Sequence, residues 1–168
     1  MTTTPLRLGP PAPRRTSLSW EGRFRVTVLD LGLACCGVEV MAALHEEGAP
    51  TEPDATEPPD LPIGWVLVVS GTVTDVMLPA VLATYAELPE PRYVLSVGAC
   101  SNTGGPYWDS YSVTKGIDQL LPVHVAVPGC PPRPDAVLGG LRALHRMLTE
   151  GATPGTASAP GTSEGDTA

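Results

Sequence analysis

WVLVVSG, residues 65–71, is an unbroken apolar run closed by Ser70 and Gly71. A strand with one wet face alternates apolar and polar residues. This one does not, so it reads as a strand covered on both faces, the habit of a parallel sheet. RYVLSVG (92–98) and VHVAVPG (123–129) repeat its length and texture, while RFRVTVLD (23–30) alternates Phe24, Val26 and Val28 with polar neighbours as a further strand. Helical patterns stand between them. TVTDVMLPAVLATYAEL (72–88) sets Val76, Met77, Ala80, Val81, Ala83 and Leu88 at helical intervals, with Pro79 near the first turn, where proline is tolerated. SYSVTKGIDQLL (110–121) predicts a short helix weakened by Gly116, and RPDAVLGGLRALHRML (133–148) a closing helix that starts at Pro134. Buried strands alternating with helices predict an α/β fold with a doubly wound parallel sheet, and 168 residues suffice for one such domain.

Composition sets the limits around that domain. Twenty prolines and 18 glycines exclude an all-helical bundle, and they gather at the ends and in one internal segment. Residues 1–20 form a basic, Pro-rich arm expected to be irregular, and 150–168 are small, polar and expected to be disordered, leaving 21–149 as the folded domain. Within it, residues 45–64 hold Glu46, Glu47, Glu52, Asp54, Glu57 and Asp60 with five prolines, the signature of a surface loop. A net charge of −8, with no arginine stripe beside aromatics, argues against a nucleic-acid partner. The arginines of residues 1–25 suit an acidic partner, an anionic membrane surface or plain solvation. No secretory leader is visible, and Asp30 and Glu39 interrupt the longest apolar stretch, so a spanning helix is not expected. The expected setting is cytoplasmic, where cysteines serve metals or catalysis more often than disulfides.

Four cysteines fall where such a sheet would bring them together. Cys35 and Cys36, adjacent in DLGLACCGVEV (30–40), follow the first strand; Cys100 follows RYVLSVG; Cys130 follows VHVAVPG. Loops at the carboxyl ends of parallel strands share one crevice, the place where open α/β sheets hold ligands. Gly98, Gly104, Gly105 and Gly129 permit close approach, and the prolines after Cys130 stiffen its loop. Four thiolates suit zinc or an iron–sulfur cluster, and buried non-ligating thiols are the bland alternative. Structural zinc usually draws on two Cys-x-x-Cys pairs, which this chain lacks. An adjacent pair with two distant single cysteines fits a [4Fe–4S] cluster better, because its irons are separate corners. The histidines His45, His124 and His145 have no ligand spacing, and no nucleophile triad is visible.

GLACCGVEVMA, PEPRYVLSVGACSNTGGPYWDSYSVTKGID and LPVHVAVPGCPPRPDAVLGGLRAL resemble the 20 kDa family (PSST, or B-type subunits) of NADH–quinone oxidoreductase, respiratory complex I, over roughly residues 17–148. The resemblance implies a flavodoxin-like fold and a terminal [4Fe–4S] cluster on Cys35, Cys36, Cys100 and Cys130. It implies Glu39 as an acidic residue beside the cluster, tied to protonation and quinone chemistry. It implies electron transfer to quinone within a proton-translocating complex, so that the chain is not catalytic alone and NADH is oxidised elsewhere. The implied partners are a hydrogenase-like large subunit and an upstream ferredoxin-like subunit, with the whole peripheral to the cytoplasmic face of the membrane. DLPIGW (60–65) lacks the arginine and the terminal acid of the family's Ser-Pro-Arg-Gln-Ala-Asp segment, which marks a divergent paralogue. Two other roles remain open from sequence. One is a cluster-binding scaffold or assembly protein without quinone reduction. The other is the small subunit of a hydrogenase-type membrane complex, which the adjacent cysteines disfavour.

Overall fold

Apolar β-branched residues build the sheet, and its order follows the chain. The computed structural model describes residues 14–20, 24–30, 35–46 and 64–150. Five strands lie in the order β1 (Arg14–Trp20), β2 (Phe24–Asp30), β3 (Gly64–Ser70), β4 (Arg92–Val97) and β5 (Val125–Val127). β2 to β5 are parallel, and β1 pairs antiparallel with β2. The helices are α1 (Cys35–Glu46), α2 (Leu78–Glu87), the short α3 (Ala99–Thr103) and α4 (Pro134–Thr149).

β3 is buried along almost its whole length, as its apolar run predicts, because helices cover both faces. Its even residues Val66 and Val68 join Val28, Leu95 and Val97 in a core closed by Val40 and Leu44 of α1 and Val137, Leu141 and Leu144 of α4. Its odd residues Leu67 and Val69 pack with Val94, Val81 of α2, Met77, Ile117 and Leu121 on the other face. Each such side chain contributes about 1.5–3 kcal/mol of burial, which makes the two-sided β3 the axis of the molecule. Gly140 lets α4 close on the sheet, since a Cβ there would lie 3.3 Å from the Leu95 side chain and nearer still to Val127.

Three expectations change. Residues 14–20 are not irregular: they form β1, whose pairing with β2 satisfies backbone groups that polar side chains alone would leave to water. The expected helix over 110–121 shrinks to a single turn at Ile117–Gln119. Gly116 takes φ 131°, outside helical space, and the backbone before it bridges Thr74 to Val113 instead. The helix expected from residue 72 starts at Leu78, because Thr74 O accepts the amides of Met77 and Leu78 in a turn and Pro79 then sits in the first helical turn. The arm before residue 14, nearly all of the acidic 45–64 loop and the tail after residue 150 lie outside the described residues.

Candidate metal centre

Register places the ends of the strands in one row. Ser70 pairs with Asp30 on one side and Val97 on the other, and Val97 pairs with Val127. The chain leaves β4 and β5 in step: the Gly98 amide donates to Val127 O at 2.9 Å and the Ala99 amide to Gly129 O at 2.7 Å. Every predicted cysteine lies just past this row. Cys35 and Cys36 open α1, Cys100 lies in α3, and Cys130 follows β5.

Cys36 is buried, Cys100 is half-buried, and Cys35 and Cys130 are exposed. Two glycines at positive φ press against the inner thiols. A Cβ on Gly98 (φ 89°) would collide with Cys36 Sγ, and one on Gly105 (φ 55°) would lie 3.0 Å from Cys100 Sγ and 2.9 Å from its amide nitrogen. Any residue with a side chain would therefore displace a sulfur. Burial pushes the Cys36 thiol up to about 12, helped by Cys35, which also hydrogen-bonds to it, and by the charges Cys100 and Cys130 would carry. One buried sulfur thus feels all three others, so thiols from three separate segments share one electrostatic neighbourhood.

A hydrogen-bonded frame holds the Cys100 turn, and sequence reading missed it. Ser96 Oγ meets Ser101 Oγ at 2.9 Å and donates to Asn102 Oδ1, while Asn102 Nδ2 donates to Val127 O at 3.0 Å. Gly104, at φ 81°, caps α3 by donating its amide to Cys100 O. Only the mixture of small polar residues in SVGACSN hinted at this, because the partner on β5 is remote in sequence.

Glu39 lies half-buried on α1, about one helical turn beyond the cysteine pair and on the same side. Arg133 is exposed and faces Asp135 at 3.8 Å, at the start of α4. His124 is structural: its Nδ1 accepts the Val94 amide at 3.1 Å, and burial lowers its pKa. His45 is exposed at the end of α1, and His145 meets the Phe24 ring edge-on.

Among the described residues no three His, Cys, Asp or Glu side chains converge as ligands of one metal ion. Four soft thiols from three segments are the donor type that zinc or an iron–sulfur cluster takes, and a cluster assigns one thiolate to each iron. No helix among the described residues is long and apolar enough to cross a membrane.

Comparison with known proteins places the chain in a family. The profile of the NADH ubiquinone oxidoreductase 20 kDa subunit matches residues 35–144. The chain is 48% identical over 153 residues to the second B-type subunit of NADH-quinone oxidoreductase from Streptomyces griseus, covering 86% of this chain and 64% of that protein. It is 50% identical over 153 residues to the first B-type subunit from Salinispora tropica, covering 88% and 80%. It spans only about half, 49%, of the second B-type subunit from Roseiflexus castenholzii, at 44% identity over 77% of this chain. Among solved structures it is similar to a component of the membrane-bound sulfane sulfur reductase, an archaeal respiratory membrane complex, with a TM-score of 0.60 and 31% identity over 77% of this chain and 72% of that one. The profile spans all four cysteines and three of the five strands, and the chain belongs to the 20 kDa subunit family of NADH ubiquinone oxidoreductase.

Proposed function

We propose that this chain is the iron–sulfur electron-transfer subunit of an NADH–quinone oxidoreductase, with Cys35, Cys36, Cys100 and Cys130 as ligands of one [4Fe–4S] cluster. The observation that carries the reading is the placement of all four cysteines just past the carboxyl ends of parallel strands, with Cys36 and Cys100 seated against Gly98 and Gly105. When bound, such a cluster supplies one-electron transfer. The chain's own residues do the rest. Gly98 and Gly105 leave room for the sulfurs, the Ser96–Asn102–Val127 bonds hold the Cys100 turn, and the core beneath excludes water from one side. Low dielectric and hydrogen bonds around the sulfurs then set the potential.

Glu39 is the acidic group proposed to couple protonation to electron transfer, on its place one turn from Cys35 and Cys36. The chain has no glycine fingerprint for a dinucleotide, so NADH oxidation belongs to other subunits. A hydrogenase-like large subunit and a ferredoxin-like subunit are the proposed partners. Quinone is the proposed acceptor at the partner interface, on the cytoplasmic face of the membrane.

Anaerobic iron and sulfide analysis with low-temperature EPR of the dithionite-reduced protein tests this, beside a Cys130→Ser variant. About four irons and four sulfides per chain, and a signal altered or lost in the variant, are expected. Zinc alone, or no metal after reconstitution, overturns it. The likeness to the sulfane sulfur reductase favours a second reading, in which the same cluster serves a non-quinone acceptor. Turnover of the purified native complex with a quinone analogue, against turnover with polysulfide, separates the two.

A further inference from the structure

Ser70 closes β3, the strand buried on both faces, and is itself 1% exposed. Among the described residues its hydroxyl has no hydrogen-bond partner. Buried hydroxyls seldom go unpaired, and an unpaired one marks either a cost the fold carries or a partner that arrives later. Its surroundings favour the second case. By the alternation of β3, Ser70 lies on the face of Val66 and Val68, the face covered by α1. A Cβ on Gly37 would stand 3.8 Å from Ser70 Oγ, so the hydroxyl lies beneath the first turn of α1, the turn that carries Cys36. Its β4 neighbour Val97 leads directly into Gly98, whose missing side chain makes room for Cys36 Sγ. Ser70 thus lies under the turn that carries Cys36, and Gly98, just past the neighbouring strand, lies against the Cys36 sulfur.

A neutral thiol is a weak acceptor, whereas a metal-bound thiolate or a sulfide carries charge and is a strong one. We propose that Ser70 Oγ donates a hydrogen bond to the sulfur at the Cys36 corner of the bound cluster and raises its reduction potential. This rests on the cluster assignment above. The donor stabilises the more negative, reduced state more than the oxidised one, so its loss makes reduction harder.

The test is Ser70→Ala beside Ser70→Thr, each loaded with cluster and assayed for iron before anything else. The expected result is full iron in both. Ser70→Ala should show a several-fold smaller one-electron reduction constant, read as a lower midpoint potential at 59 mV per tenfold change, and Ser70→Thr should restore it. Proton ENDOR of the reduced wild type, after brief transfer to D2O, should lose a strongly coupled exchangeable proton that Ser70→Ala never shows. An unchanged potential and an unchanged proton coupling in fully loaded Ser70→Ala overturn the proposal and leave the cluster assignment standing. Wild type that holds no iron–sulfur cluster overturns the assignment itself. If Ser70→Ala assembles too little cluster, the wild-type exchange decides: no rapidly lost coupled proton overturns the proposal.

Discussion

The loops that carry Cys100 and Cys130 leave neighbouring strands in step, and each reaches its cysteine three residues past the paired Val97 and Val127. They are held by different means. The Cys100 turn is tied down by side chains, with Ser96, Ser101 and Asn102 linking β4, α3 and β5, and Gly105 pressed against its sulfur. The Cys130 loop is held by its backbone: Gly129 O accepts from Ala99, prolines follow at 131 and 132, and Arg133 faces the exposed Asp135. The inner wall, where Cys36 and Cys100 lie, is thus a network that a single side-chain deletion can open. The outer loop is a stiff lip that most side-chain changes leave alone.

The largest expected contrast is chemical. In the metal-free protein at pH 8, Cys130 is exposed while Cys36 is buried with its pKa pushed up to about 12, so alkylation of Cys36 should lag by orders of magnitude. Peptide mapping of an iodoacetamide time course reads this, and equal rates would show that the inner wall is open. The same shift gives a sign for stability. The folded state keeps its proton above the ordinary thiol value of 9.0, where the unfolded chain loses it. The contribution is therefore whole below about pH 9 and is lost as pH rises from there toward 12. Cys36→Ala should flatten that alkaline limb in urea titrations.

Next in size is Gly98→Ala. The new Cβ strains a backbone at φ 89° and strikes Cys36 Sγ, which should cost about 2–4 kcal/mol in denaturant unfolding and reduce iron retention. Asn102→Ala follows, at about 1–3 kcal/mol, because it removes the two hydrogen bonds that tie the Cys100 turn to Ser96 Oγ and to Val127 O. Arg133→Ala, on the outer lip, should stay within about 0.5 kcal/mol. If Asn102→Ala proved as silent as Arg133→Ala in the same assay, the two loops would be held alike.

Sequence alone determined the class of fold, through the apolar runs at 65–71 and 92–98, since a strand that must be dry on both faces has to be apolar throughout. It also determined which residues are candidate ligands, because four cysteines each follow a strand. Local patterns failed where distant partners decide. The amides of residues 14–20 find β2, and Gly116 diverts a segment of helical appearance into a bridge with Thr74. Tertiary structure alone decided the depth of each thiol and the frame around it. Whether Cys36 is buried, whether Asn102 reaches Val127 and whether Ser70 finds a partner among the described residues depend on the register of strands far apart in the chain, and no periodicity within one segment encodes that.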